Sequence, residues 1–166
     1  MKKRRRLLWQ LFPSYLLITL ISLLAASWYA SEAMRHFFLD QTATDLKARA
    51  ALLEKQITGL LLPLQKNAVD SICKEAGRLS ATRITVILPD GTVIGDSRET
   101  PRLMDNHANR PEIITALAGQ TGRSLRFSKT LMQRMLYVAV PVKDRQSVVA
   151  VLRTSLPATA VETEIR

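Results

Sequence analysis

The stretch Met104-Asp105-Asn106-His107-Ala108-Asn109-Arg110-Pro111-Glu112 brings a carboxylate, an imidazole and a guanidinium close together in sequence. Three uses are open to it: acid/base chemistry, ligand binding, or the start of a helix. Its second half favours the helix. Asn109 has the spacing of a capping box, accepting from a free first-turn amide while Glu112 reaches back, and Pro111 lacks a donor that the first turn would leave unpaired. A short helix is expected over roughly 110 to 118, closed by Gly119 as a left-handed cap. The first half, Asp105, Asn106 and His107, is too polar for a plain connection. It lacks the partners of a metal site, because the only other histidine, His36, lies far away in the chain. Asp96, Asp105 and His107 come without a nucleophile signature or a phosphate-cradling glycine loop, so no catalytic residue, metal or cofactor is assigned.

The elements that must position this stretch begin in the membrane. Residues 7 to 31 contain no charged side chain, and 25 such residues at about 1.5 Å each exceed a bilayer core of about 30 Å. The preceding MKKRRR keeps the N-terminus, residues 1–6, in the cytoplasm by the positive-inside bias and sends residues 32–166 outside. Trp9 and Trp28-Tyr29 suit the two interfaces. A cleaved signal peptide shares the basic start and a small-residue site around Ala25 and Ser27, but its apolar run is normally shorter. Either reading makes the remainder extracytoplasmic, periplasmic for a protein of the inner membrane. The formal charge is +10. Half of it is the topology signal, and the rest is scattered without an aromatic-interleaved basic stripe, which argues against nucleic acid as a partner. Cys73 is the only cysteine; no intrachain disulfide can form, and SICKEA suits a small apolar helix residue.

Outside the membrane, residues 32–80 read as stalk and packing helices. Leu39, Ala43, Leu46, Ala50, Leu53, Ile57 and Leu60 alternate steps of four and three, a seam of period 3.5 flanked by Asp40, Lys47, Arg49 and Glu54. It is expected either to pair with a second copy as a homodimer stalk or to lie on its own domain, and continuity with the membrane helix tilts the reading towards the dimer. Pro63 ends or bends the helix. Leu64, Ala68, Ile72, Ala76 and Leu79 form one stripe of a second helix to about residue 80. From residue 81 the period changes to two. TRITVIL and TVIG flank the turn Pro89-Asp90-Gly91, and SLRFS, MLYVAVPV and SVVAVLRTS follow, which gives five strands.

This order resembles the extracytoplasmic PAS-like, or single Cache, sensor domain. TVILPDGTVIGDS, MDNHANRPEI, ALAGQTGRSLRFSKT, MLYVAVPV and SVVAVLRTSLP look like the sensory region of PhoR-type, phosphate-regulon membrane sensor histidine kinases. The resemblance covers about residues 80 to 158 and is carried most specifically by DGTVIGDS together with MDNHANRPE. It implies an α+β fold, a transmembrane and stalk helix leading into a five-stranded antiparallel sheet over residues 81–158. It further implies that 159–166 begin a connection to a second membrane helix, followed by a cytoplasmic kinase that acts on a response regulator. A chemotaxis-type receptor, or an anchored interaction domain without ligand, are the alternatives.

In PAS-like exterior sensors small ligands lie between the sheet and the loop that covers it, here Asp96 through Arg110. The resemblance therefore makes Arg110, His107 and Arg126 candidates to hold a small anionic ligand through charge-assisted hydrogen bonds, with Asp96, Ser97 and Tyr137 orienting it. Asp105 belongs to the same set. The competing expectation is structural: Asp96 and Asp105 pair with those arginines and fasten the loop.

Overall fold

A computed structural model describes residues 2–128 and 131–158, with side chains from Leu11 onward. The connection expected at 159–166 lies outside the described residues. The chain forms two compact units, Met1–Phe38 and Leu39–Arg166, and helix α1 (Lys2–Leu61) contributes to both. In the first unit the side chains from Leu11 to Ala30 are exposed throughout, including Phe12, Leu17, Leu23 and Trp28. This is a helix long and apolar enough to cross a membrane.

The second unit is built on β1 (Arg83–Ile87), β2 (Val93–Asp96), β3 (Gly122–Ser128), β4 (Gln133–Asp144) and β5 (Ser147–Pro157). The order across the sheet is β2-β1-β5-β4-β3, with every neighbouring pair antiparallel. The five expected strands are all present. Gly91, at φ 85°, makes the β1–β2 turn where a side chain would be strained. Helix α2 (Lys66–Ser80) precedes the sheet, and α3 (Pro111–Leu117) interrupts it.

Strand alternation gives the sheet two different faces. On one, Ile84, Val86, Val142, Ala150 and Leu152 pack with Ala50, Ile57 and Leu61 of α1 and with Val69 and Cys73 of α2. The Cys73 thiol is pushed up to about 12, chiefly by burial and secondarily by the charges of Asp96 and Asp70, so it is an inert core group. On the other face, Ile87, Val93, Ala139 and Val151 pack under Ile113 and Ala116 of α3.

The stalk seam meets the chain's own sheet. Leu46, Ala50 and Ile57 are fully buried and Leu39 is 8% exposed, while Leu53 and Leu60 pack at the edge of the same core. Thr154 donates to the Leu46 carbonyl at 2.9 Å. Arg49 donates to the Ser80 carbonyl and Thr82 Oγ1, each at 2.6 Å, fastening α1 to the end of α2. The row expected to need a partner helix is therefore covered within one chain. A 3.5-residue repeat over three heptads suits packing on a sheet as well as it suits a coiled coil. The side of the helix left in solvent carries Ala48, Leu52, Lys55 and Gly59.

Candidate functional site

The second sheet face continues from its apolar patch into a buried polar network. Arg83 and Thr85 on β1, Tyr137 on β4 and Arg153 on β5 stand on the same side as Ile87, Ala139 and Val151, because alternate residues share a face. Arg126 reaches them from β3. Asp96, fully buried at the end of β2, accepts from Arg83 Nε at 3.1 and 3.2 Å, from Thr85 Oγ1 at 2.7 Å, and from the backbone amides of Arg98 and Glu99 at 2.9 Å each. Thr85 Oγ1 in turn accepts from Arg153 Nη2 at 3.2 Å. Glu112, fully buried in the first turn of α3, accepts on Oε1 from Arg126 Nη2 at 2.9 Å and Arg153 Nη1 at 3.4 Å. One connected chain of charges thus runs from β2 across the sheet to α3.

The network is incompletely satisfied. Arg126 Nε, Arg153 Nε, Glu112 Oε2 and His107 Nδ1 are buried and have no hydrogen-bond partner among the described residues. Buried polar atoms of native proteins are normally paired with protein, water or ligand, so such a cluster marks a place where a partner belongs. The Arg126 guanidinium lies 4.1 Å from the centroid of the Tyr137 ring and that of Arg153 5.0 Å from it, cation–π contacts that fix both planes.

A cavity of about 330 Å³ opens over this floor. Arg83, Arg126, Ser128, Tyr137 and Arg153 line it from the sheet, and Glu99, Leu103, Met104, Asp105, His107 and Arg110 from the loop. Its volume lies at the lower end of the range typical for small-molecule sites, about 300–1,000 Å³. The floor holds three guanidiniums against the two carboxylates of Asp96 and Glu112, leaving one positive charge in excess. Burial pushes the Glu112 carboxyl up, but the Arg126 hydrogen bond, its own backbone amide and the charges of Arg126 and Arg153 more than reverse this, leaving it below the usual carboxylate range. Burial lowers the Arg153 guanidinium and Glu112 opposes the shift; a guanidinium stays protonated at neutral pH. A larger cavity, about 690 Å³, lies beside α2 and β2. Its rim residues Lys66, Thr100, Arg102 and Asn106 are exposed, and it contains none of the buried unpartnered atoms. The smaller cavity is the candidate site.

Of the expected residues, His107, Arg110, Arg126, Tyr137 and Asp105 converge on the cavity. His107 does so as a neutral group. Burial, then the charges of Arg153 and Arg110, lower it to about 4, so at neutral pH it offers a hydrogen bond and not a cation. Arg110 is half-buried at the mouth, and Asp105 is exposed there. Asp96 lies beneath the floor as the counter-ion of Arg83. Ser97 is placed elsewhere: its hydroxyl accepts from the Ile84 amide at 3.0 Å, and a Cβ at Gly77 of α2 would stand 2.3 Å from its own Cβ. Asp96 thus pairs with Arg83 and not, as the competing expectation had it, with Arg110 or Arg126, and among the described residues Asp105 forms no ion pair with either.

Two readings of MDNHANRPE change. The N-cap of α3 is Arg110, with no side-chain cap, and Pro111 is at the first helical position; Asn109 is exposed. The capping box fails because Glu112 is drawn inward by two guanidiniums, a stronger attraction than one backbone amide. The first half of the stretch fastens the loop to the β1–β2 turn. Asn106 donates to the Asp90 carbonyl at 2.8 Å and accepts from the Ala108 amide at 2.9 Å, while the His107 amide donates to the Gly91 carbonyl at 2.9 Å.

Sequence reasoning missed Arg83, Arg153 and Glu112. The two arginines do carry a signal: Arg83 opens the strand RITVI and Arg153 directly follows the apolar run VVAVL, each in register with inward-facing residues, and a buried cation needs a buried counter-ion. Nothing in the sequence identifies which carboxylate supplies it.

No protein-family model and no curated protein matches the sequence. Solved structures do resemble the fold. The sensor domain of the Vibrio cholerae histidine kinase DctB superposes with a TM-score of 0.62 at 20% identity, over 80% of this chain and 56% of that one. The Escherichia coli DcuS sensor domain gives 0.62 at 17% identity, over 78% of this chain and 98% of that one. The sensory domain of the Campylobacter jejuni chemoreceptor Tlp3, also solved with isoleucine bound, gives 0.63 at 15% identity, over 80% of this chain and 59% of that one. At these identities the likeness establishes the fold alone, an α+β unit with a five-stranded antiparallel sheet behind a long N-terminal helix. The chain spans little more than half of the DctB and Tlp3 structures.

Proposed function

We propose that the chain is the extracytoplasmic sensing region of a membrane sensor histidine kinase, and that a small anionic ligand in the arginine-floored cavity is its stimulus. The observation that carries this reading is the set of buried, unpartnered donors, Arg126 Nε and Arg153 Nε, on guanidiniums that line a cavity of about 330 Å³. The membrane helix holds MKKRRR in the cytoplasm and residues 32–166 in the periplasm. The signal passes through membrane helices to a cytoplasmic kinase and its response regulator. Within that class, DGTVIGDS and MDNHANRPE favour a PhoR-type, phosphate-regulon sensor, a role that does not require phosphate itself to be the ligand. A chemotaxis-type receptor is the second reading, favoured by the likeness to Tlp3.

The test is a melting screen of the full chain in nanodiscs against small carboxylates, amino acids and inorganic phosphate. A ligand that binds only the folded state raises stability with the logarithm of its concentration over its Kd. At least one compound is expected to raise the midpoint in wild type and to fail in Arg126→Ala. No shift with any compound overturns the reading. Protease added to spheroplasts should cut the sheet domain; protection until the inner membrane itself is permeabilised overturns the topology. A homodimer, if it forms through residues 39–61, uses the exposed Leu52 side and not the buried row. In a Cys73→Ser background, cysteine at Leu52 should cross-link between chains more readily than cysteine at Leu46.

A further inference from the structure

The two buried carboxylates under the cavity are bound in opposite ways. Asp96 is saturated: four donors converge on its two oxygens, two of them backbone amides of the turn that directly follows it, Arg98 and Glu99. Glu112 is underused. Both arginines share its Oε1, one at the long distance of 3.4 Å, and its Oε2 accepts from none of the described residues. Those same two arginines are the ones whose buried Nε atoms have no acceptor among the described residues. Glu112 also sits where movement would matter, in the first turn of a seven-residue helix, directly after the loop that roofs the cavity. Its carbonyl lies against Gly122 of β3, where a Cβ would come within 2.0 Å of it.

From this contrast we propose that Glu112 is an internal occupant of the Arg126–Arg153 pair, displaced when an anionic ligand enters, so that ligand arrival is converted into movement of the start of α3. The inference rests on the proposed ligand reading of the cavity. An anion that meets the two guanidiniums side-on can offer each one two acceptors, where Glu112 offers a single shared oxygen, and bidentate pairing is the stronger arrangement. Once it is seated, two carboxylate-like groups would compete for two cations at close range in a poorly solvated space, and like charges there repel strongly. Asp96 is held by its amides, so Glu112 is the one that yields. The displaced carboxylate carries the first turn of α3 with it, and with that turn both the roof loop, through Arg110, and the edge strand β3, through Gly122. Arg83, anchored by Asp96, keeps the floor in register during the exchange.

The sign of one substitution decides between exchange and simple positioning. In Glu112→Gln the shape is kept and the competing charge removed. Calorimetric titration of the full chain in nanodiscs with acetate, succinate and inorganic phosphate should give binding at least tenfold tighter than wild type for any of these that wild type binds. Binding by the variant alone, with wild type silent, equally supports exchange. Binding to wild type that is unchanged or weaker in Glu112→Gln overturns exchange and leaves the ligand reading standing. Absence of binding by both proteins, for these three and for every compound of the melting screen, overturns both. If the variant does not fold, amide hydrogen exchange on wild type gives the answer. Saturation with a binding probe should speed exchange of the Ile113, Ile114 and Ala118 amides at least fivefold, while the Arg98 and Glu99 amides held by Asp96 stay protected. Slower or unchanged exchange in α3 on saturation overturns the proposal.

Discussion

The two faces of the sheet are made from alternate residues of the same strands, yet one is closed by oil and the other by charge. On the α1/α2 side, Ile84, Val86 and Leu152 meet Ala50, Ile57 and Val69 without an ionisable partner. Burial there is stabilised in proportion to area, at about 25 cal/mol per Å². On the loop side, Arg83, Arg153, Asp96 and Glu112 are each at most 3% exposed, and every charge must be matched to offset its desolvation. A dry face tolerates small geometric errors. A charged face holds only with its partners in place, and the places where partners are lacking are where a ligand or a movement can be accommodated.

Removing a partner on the charged face gives the largest expected effect. Asp96→Ala should lower stability by about 3–5 kcal/mol, since it strands Arg83 in the interior. Denaturant unfolding of the full chain measures it, and a loss below 1 kcal/mol would show that the charges are better solvated than their burial indicates. On the dry face, Ile57→Ala should cost about 2–5 kcal/mol through lost transfer energy and a cavity. Here the sharper readout is negative: whatever ligand shift wild type shows should survive in Ile57→Ala and not in Arg126→Ala.

The third prediction concerns pH. Folding holds the His107 imidazole at about 4, below its ordinary 6.5. Between those values the unfolded chain takes up a proton that the folded chain refuses, so stability falls as pH is lowered from about 6.5 to about 4. Discounted for the solvent that still reaches the ring, the loss amounts to about 1–2 kcal/mol at full development. Glu112, held below the usual carboxylate range, adds a further loss as pH drops below its unfolded value near 4.5 and its ion pairs are protonated away. Because His36 is the only other histidine and is exposed, His107→Gln should flatten the profile between pH 6.5 and 5. An unchanged slope would mean that the imidazole is hydrated in the folded state. The smallest effects separate the two halves of MDNHANRPE. Asn106→Ala should cost about 1 kcal/mol, by loss of its bonds to the Asp90 carbonyl and the Ala108 amide. Asn109→Ala should stay within about 0.5 kcal/mol, because it caps nothing. Equal costs would restore the capping box.

Periodicity was enough to place every strand. TRITVIL, TVIG, SLRFS, MLYVAVPV and SVVAVLRTS each contain the observed strand core, because alternation is a local property written into consecutive residues. The short helix behaves likewise: Pro111 starts it, and Gly119 closes it at φ 84°. The stalk seam was legible as a row but not as a contact. Leu46 and Ile57 need cover, and a sheet or a second helix supplies it equally well. The site was half legible. His107, Arg110, Arg126 and Tyr137 were reached through a resemblance, whereas Arg83 and Arg153 lay hidden in runs that read as apolar strands.

What the sequence determined by itself is therefore what depends on neighbours along the chain: a span apolar enough for a bilayer, two periods of alternation, and the turns at Gly91 and Gly119. The tertiary structure alone decided which charges meet. Glu112 is 41 residues from Arg153 and 14 from Arg126, and Asp96 is 13 from Arg83. Within its own turn Glu112 had a serviceable local role as a capping partner. It was redirected because the sheet delivers two desolvated guanidiniums to one point, and in a poorly solvated interior their attraction for a carboxylate exceeds anything a backbone amide offers.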